Sequence, residues 1–149
     1  LPDMKYGSGE AAGEFSGAVD YVDVNHQAVR AMFRQVGALV LDRNGIATRG
    51  ICIRHLVLPN GLAGSESVAS FLASAFDPDD ITISLMAQYR PLYRAREFQE
   101  LNRPIARDEY AEARRLFEDA GIGGYYQRAQ ELDGRYVIDF TRRKHQRLR

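Results

Sequence analysis

An acid and a base stand two residues apart in LPDMKY: Asp3 and Lys5. Alternate side chains of an extended segment share a face, so the pair projects together. A carboxylate binds a hard cation or an amine, and a neighbouring ammonium holds a carboxylate or hydroxyl; together they suit a zwitterionic ligand. The same spacing at a frayed terminus makes an exposed ion pair. Arg54 interrupts the apolar run GICIRHLVLPN. A buried guanidinium there needs an anion, either an internal carboxylate or a bound ligand. His55 must face the other way in a regular strand and reads as a hydrogen-bonded structural histidine. Gln88, Tyr89 and Arg90, before Pro91, fall at the end of a third run. A Gln or Tyr there can hydrogen-bond a ribose or purine edge, or hold the following loop.

Other chemistries find no support in the pattern. His26, His55 and His145 are scattered and keep no metal-like spacing with Cys52. Cys52 lies in an apolar run and reads as a small buried hydrophobe; being the only cysteine, it has no partner within the chain. There is no Gly-rich phosphate fingerprint, no G-x-S-x-G and no H-E-x-x-H, and GIGG at 121–124 is a helix stop. Twenty basic residues balance 20 acidic ones, so neither nucleic acid nor an anionic membrane is an expected partner. The basic end, TRRKHQRLR, reads as a solvated terminus. No stretch approaches the ~20 apolar residues of a membrane span and no secretory leader is present, which leads us to expect a cytoplasmic protein.

The elements that must position these residues follow from periodicity. A chain of 149 residues, 45% hydrophobic, is enough for one core. GSGEAAGEFSGA is small and Gly-rich and predicts a loop with at most one helical turn. Asp20, Asp23 or Asn25 can cap a helix carrying Val22, Val29, Met32, Phe33 and Val36, which Gly37 closes. Asn44-Gly45 predicts a type I′ hairpin. GICIRHLVLPN predicts a parallel strand covered on both faces, and Ser65 the cap of a helix with Val68, Phe71, Leu72, Ala75 and Phe76 on one face. In the next strand Ile81, Ile83 and Leu85 alternate with Thr82, Ser84, Met86 and Gln88, giving one apolar and one mildly polar face. Tyr110, Ala113, Phe117 and Ala120 form the stripe of a last helix that stops at Gly121. Two short strands are expected at 125–128 and 136–140. The order predicts an α/β fold with parallel strands joined by crossovers, and ligands gather at the carboxyl ends of such strands.

The segments LPDMKY, FRQVGALVLDRNGIATRG, IRHLVLPNGLAGSESV, SLMAQYRPLYRA and ELNRPIARDEYAEA, in this order, resemble the C-terminal half of radical S-adenosylmethionine proteins related to pyruvate formate-lyase activating enzyme. The resemblance covers residues 1–122; residues 123–149 read as a short extension with a basic tail. It implies part of a partial (β/α)6 TIM-like barrel with a small β-hairpin insertion, in which a [4Fe-4S] cluster and S-adenosylmethionine meet at the strand ends for oxidoreductase chemistry. Asp3 and Lys5 match the family's D-x-K motif, which implies that Asp3 helps bind a monovalent cation beside the cofactor's carboxylate and that Lys5 contacts the cofactor. Arg54 matches an arginine near the cofactor. Gln88 and Tyr89 stand where the activating enzymes have a cofactor-contacting histidine.

The family's C-x3-C-x2-C motif is absent, so this chain cannot hold the cluster alone. The expectation is therefore part of a radical enzyme, cut through the barrel's fourth strand, that supplies cofactor-binding strand ends and is catalytically silent in isolation. No catalytic residue is assigned. The implied partners are the missing N-terminal half or a second chain covering the open sheet edge, and a protein substrate. A non-catalytic binding module derived from the same barrel is the alternative; a further one is an iron-independent lyase using the Lys5 amine.

Overall fold

The computed structural model describes residues 1–127 of the protein. The expected strand at 136–140 and the basic tail lie outside the described residues. The fold is α/β, and its three-stranded sheet is parallel throughout. Residues 2–4 run alongside β3 (Cys52–Leu56), with Asp3 opposite Arg54. β3 pairs with β4 (Thr82–Met86), and β4 with β5 (Gly124–Tyr126). The sheet thus continues past residue 122. It is open, with no closed barrel among the described residues.

The register places Arg54 opposite Ser84, and Ser84 opposite Tyr125, so one row of side chains crosses the sheet on a common face. Met4, Ile53, His55, Val57, Ile83, Leu85 and Ala87 point to the opposite face and are buried. The helices α3 (Ser65–Ala75) and α4 (Arg107–Asp119) pack against each other, and Val68, Phe71, Leu72, Tyr110, Ala113 and Phe117 complete the core with that apolar face. Cys52, Arg54 and Leu56 are half-buried or exposed. The expectation of a strand covered on both faces is therefore corrected: the described residues cover the five-residue β3 on one. Its near-continuous apolar run includes Ile51, Val57 and Leu58, which leave the strand at its two ends into the core. The alternation expected in β4 is as read.

Several local readings also change. GSGEAAGEFSGA forms a real helix, α1 (Gly9–Ser16): the Ser8 hydroxyl accepts from the Ala11 amide, Gly17 closes the last turn at φ 67°, and Ala11 and Ala12 are buried. Composition alone hid a capped turn with a small-residue contact face. In α2 (Tyr21–Val36) Gly37 ends the helix as expected, but Asp20 makes no side-chain cap and Asn25 is used elsewhere.

The hairpin β1 (Val40–Leu41) and β2 (Ala47–Arg49) exists without a type I′ turn. The Gly45 amide reaches the Asp42 carbonyl, and Gly45 alone in that turn has positive φ, while the Asp42 carboxylate accepts from the Asn44 and Ile46 amides. This is a type I turn followed by a left-handed glycine. Ser65 is the first residue of α3 and not its cap; Gly64 holds that position, and the serine hydroxyl is bonded to His55.

Candidate functional site

Asp3 is held from three directions. Its backbone segment pairs with β3 through Met4 N–H to Arg54 C=O at 2.9 Å and Arg54 N–H to Pro2 C=O at 2.8 Å. From α2, Asn25 Nδ2 donates to the Asp3 carbonyl at 2.9 Å, and the Tyr21 hydroxyl accepts from the Lys5 amide at 2.8 Å. The carboxylate is bridged: Arg54 Nε donates to Oδ1 at 2.5 Å and Lys5 Nζ to Oδ2 at 2.8 Å. Partial burial pushes the Asp3 carboxyl up, but the hydrogen bonds and charges of Lys5 and Arg54 outweigh it and hold it below the usual range. Lys5, Arg54 and Asp3 thus form a cluster with one surplus positive charge. The side chains of Lys5 and Arg54 are 58% and 46% exposed, so the pairs add little to stability, and the cations remain accessible to a ligand.

His55 does what its place in the strand implies. It is fully buried on the covered face, with Nδ1 2.6 Å from the Met4 carbonyl and Nε2 2.9 Å from Ser65 Oγ. A carbonyl only accepts, so Nδ1 carries the proton and the Ser65 hydroxyl donates to Nε2. Burial pulls the ring down to about pKa 4, the Met4 hydrogen bond opposing only in part. Arg54 and His55 therefore grip one dipeptide, Asp3-Met4, from the two faces of the sheet.

The third expected strand end divides. Gln88 lies on the open face, while Tyr89 is buried on the other side with its hydroxyl donating to the Leu101 carbonyl at 2.8 Å. The structure thus brings Asp3, Lys5 and Arg54 together, leaves Gln88 apart from Asp3 and Lys5 in a depression that only Arg54 of the three also lines, and commits Tyr89 to the loop, the second of the uses open to it. That depression, about 540 Å³, is lined by Arg54, Ser84, Met86, Gln88, Tyr125 and Gln127. Ser84, Tyr125 and Gln127 were not singled out in the sequence. The strand period could have found Ser84, which shares its face with Gln88; Gln127 lies beyond any recognisable motif.

The donors available bear differently on the two implied cofactors. With one cation on each Asp3 oxygen, a free monovalent cation would have to displace one of them. The carboxylate of a ligand would meet the surplus positive charge directly, whereas an ammonium would have to compete with Lys5 or Arg54 for Asp3. An iron-sulfur cluster does not fit: Cys52 is the only thiol, it lies at the amino end of β3, and burial pushes it up. Among the described residues no group of three His, Cys, Asp or Glu side chains could hold a metal. None of the described helices is long and apolar enough to cross a membrane.

No family model matches the chain, and no solved structure matches it. It is similar to an uncharacterized protein of Methanocaldococcus jannaschii, 29% identical over 127 residues, which are 85% of this chain and 33% of that protein. The chain spans about a third of the length of the curated relative it matches.

Proposed function

We propose that this chain is the C-terminal part of a radical S-adenosylmethionine enzyme related to pyruvate formate-lyase activating enzyme, supplying a cofactor-binding wall but not the iron-sulfur cluster. The observation that carries this reading is the convergence of Asp3, Lys5 and Arg54 on the uncovered face of a parallel sheet. Helices on one face only, and polar side chains on the other, are what a section of barrel wall requires, with its polar side turned inward. S-adenosylmethionine bound there would supply the group that abstracts hydrogen from a substrate. The residues of this chain would do three things: Arg54 and Lys5 hold the ligand's carboxylate, Asp3 fixes both cations, and Gln88 contacts a more distant polar group. The missing thiolates favour a second reading, a binding module without chemistry of its own.

Calorimetric titration of S-adenosylmethionine tests the first reading. We expect saturable binding by the native chain and at least tenfold weaker binding by Arg54→Gln. No heat of binding in either would remove the cofactor from the account. Binding that persists after an iron-sulfur reconstitution yielding no cluster and no cofactor cleavage is the expected state of the isolated chain under both readings. They separate once the chain is supplied with the remaining two-thirds of a protein of the relative's length: cofactor cleavage supports the enzyme, and continued silence the binding module.

A further inference from the structure

Parallel pairing divides the backbone groups of residues 2–5 between two edges. Arg54 spends its own N–H and C=O on the Pro2 carbonyl and the Met4 amide, so these two face β3. Backbone groups alternate in direction along a strand, and the Asp3 carbonyl and the Lys5 amide therefore face the outer edge. A further parallel strand there would offer both groups of one residue, set opposite Met4: its N–H to the Asp3 carbonyl and its C=O to the Lys5 amide. Both places are taken by side chains of α2. Asn25 Nδ2 donates to the Asp3 carbonyl at 2.9 Å. The Tyr21 hydroxyl accepts from the Lys5 amide at 2.8 Å and directs its own proton at the Asp3 carbonyl, 3.4 Å away. Tyr21 and Asn25 stand one helical turn apart and so present the two groups from one face.

We propose that the start of α2 is an edge strap: Tyr21 and Asn25 stand in for one residue of a neighbouring parallel strand and close this edge to strand addition. An edge of unpaired N–H and C=O groups templates pairing with another chain, and covering it from within prevents that. Pairing of a strand at residues 3–5 and docking of this turn are then mutually exclusive. The two ends of α2 are held unequally. Farther along, Val29 is fully buried, His26 stacks on Phe71 at 3.5 Å and Phe33 packs on Phe76 at 4.8 Å. The start has no side-chain cap. Its docking also leaves Asn25 Oδ1 buried with no donor among the described residues, because the Asp3 carbonyl only accepts and so fixes the amide with its nitrogen on that side. The start of the helix is thus the part that yields to a competing strand, while the rest stays on Phe71 and Phe76. The inference goes beyond the proposed cofactor site and does not rest on it.

Amide hydrogen exchange followed by NMR reads this edge directly. The Lys5 amide should be protected in the native protein, and Tyr21→Phe, which keeps the ring that meets Tyr6 edge-on, should speed its exchange about tenfold or more. The Met4 and Arg54 amides, bonded across to the other strand, should not change. Opening the edge fully, with Tyr21→Phe and Asn25→Ala together, should lower the concentration at which the chain self-associates in sedimentation by about fivefold or more. Equal Lys5 exchange in the native protein and in Tyr21→Phe would overturn the proposal, as would a double variant that associates at the native concentration. Should the double variant fail to fold, the exchange rates in Tyr21→Phe decide alone. Neither readout involves S-adenosylmethionine, so a chain that binds no cofactor would still show the strap, and loss of the strap would leave the cofactor assignment standing.

Discussion

Arg54 and His55 are sequence neighbours that act on opposite sides of one sheet. The alternation of a strand was enough to separate them in advance; what it could not supply was the partner of each. Asp3 lies 51 positions from Arg54, and only the parallel bridge between their strands makes the ion pair. For His55 the consequence is measurable. Its folded pKa, about 4, lies below the ordinary 6.5, so between these values the unfolded chain binds a proton that the folded chain refuses. The contribution is therefore complete above pH 6.5 and falls away, by about 3 kcal/mol, as the pH drops toward 4. Urea denaturation at neutral pH and at about pH 4 should show this dependence in the native protein and a visibly shallower one in His55→Asn. Parallel pH profiles for the two proteins would contradict it.

Between elements, the exit of β3 is fastened to the start of α4 by one carboxylate. Glu109 accepts from Arg103 through both oxygens at 2.7 and 2.9 Å, from the Asn60 amide at 2.6 Å and from the Ala106 amide at 2.6 Å. Asn60, at φ 57°, donates its side chain to the Glu100 carbonyl and accepts from Arg103, so the clamp joins the loops after β3 and β4. The Arg103 hydrogen bonds, with help from the two amides and against some desolvation, bring Glu109 down to about pKa 2. This stabilisation is present above the ordinary value of 4.5 and is lost as the pH falls toward 2. Glu109→Gln should cost about 2 kcal/mol in urea denaturation at neutral pH; a change indistinguishable from zero would show that the clamp is ornamental.

The same scale holds a close approach. Gly64, at φ 64°, has no room for a side chain: a Cβ would lie 2.9 Å from Gly7 Cα. Gly64→Ala should destabilise by roughly 1–3 kcal/mol in thermal or urea melts. Elements with a strong period, α2, α4 and β4, were legible as sequence. Helix α1 was not, because its contact face is two alanines, and β5 was marked only loosely because three residues carry no period.

Across the described residues as a whole, a parallel sheet is covered by helices on one side only, whereas such sheets are ordinarily buried on both. The helical layer with its apolar core is complete; the other side carries Arg54, Ser84, Met86, Gln88 and Tyr125 in place of a second apolar layer. That asymmetry suits a wall whose interior is finished by other chain, and we expect the isolated protein to self-associate through its open sheet. Sedimentation over a concentration series should show mass above the monomer; a strictly monomeric protein at every concentration would count against it. A family motif could be matched at Asp3 and Lys5 in the sequence, but the open face on which they meet Arg54 emerges only when the strands are paired.

We propose that S-adenosylmethionine is held on this face, and mapping the ligand onto the backbone tests this most directly. In a two-dimensional NMR titration the account predicts shifts concentrated at Asp3, Lys5, Arg54, Ser84 and Gln88, with the covered-face residues Ile53, Ile83 and Phe117 unmoved. Shifts confined to other surfaces, or none at saturating ligand, would contradict it.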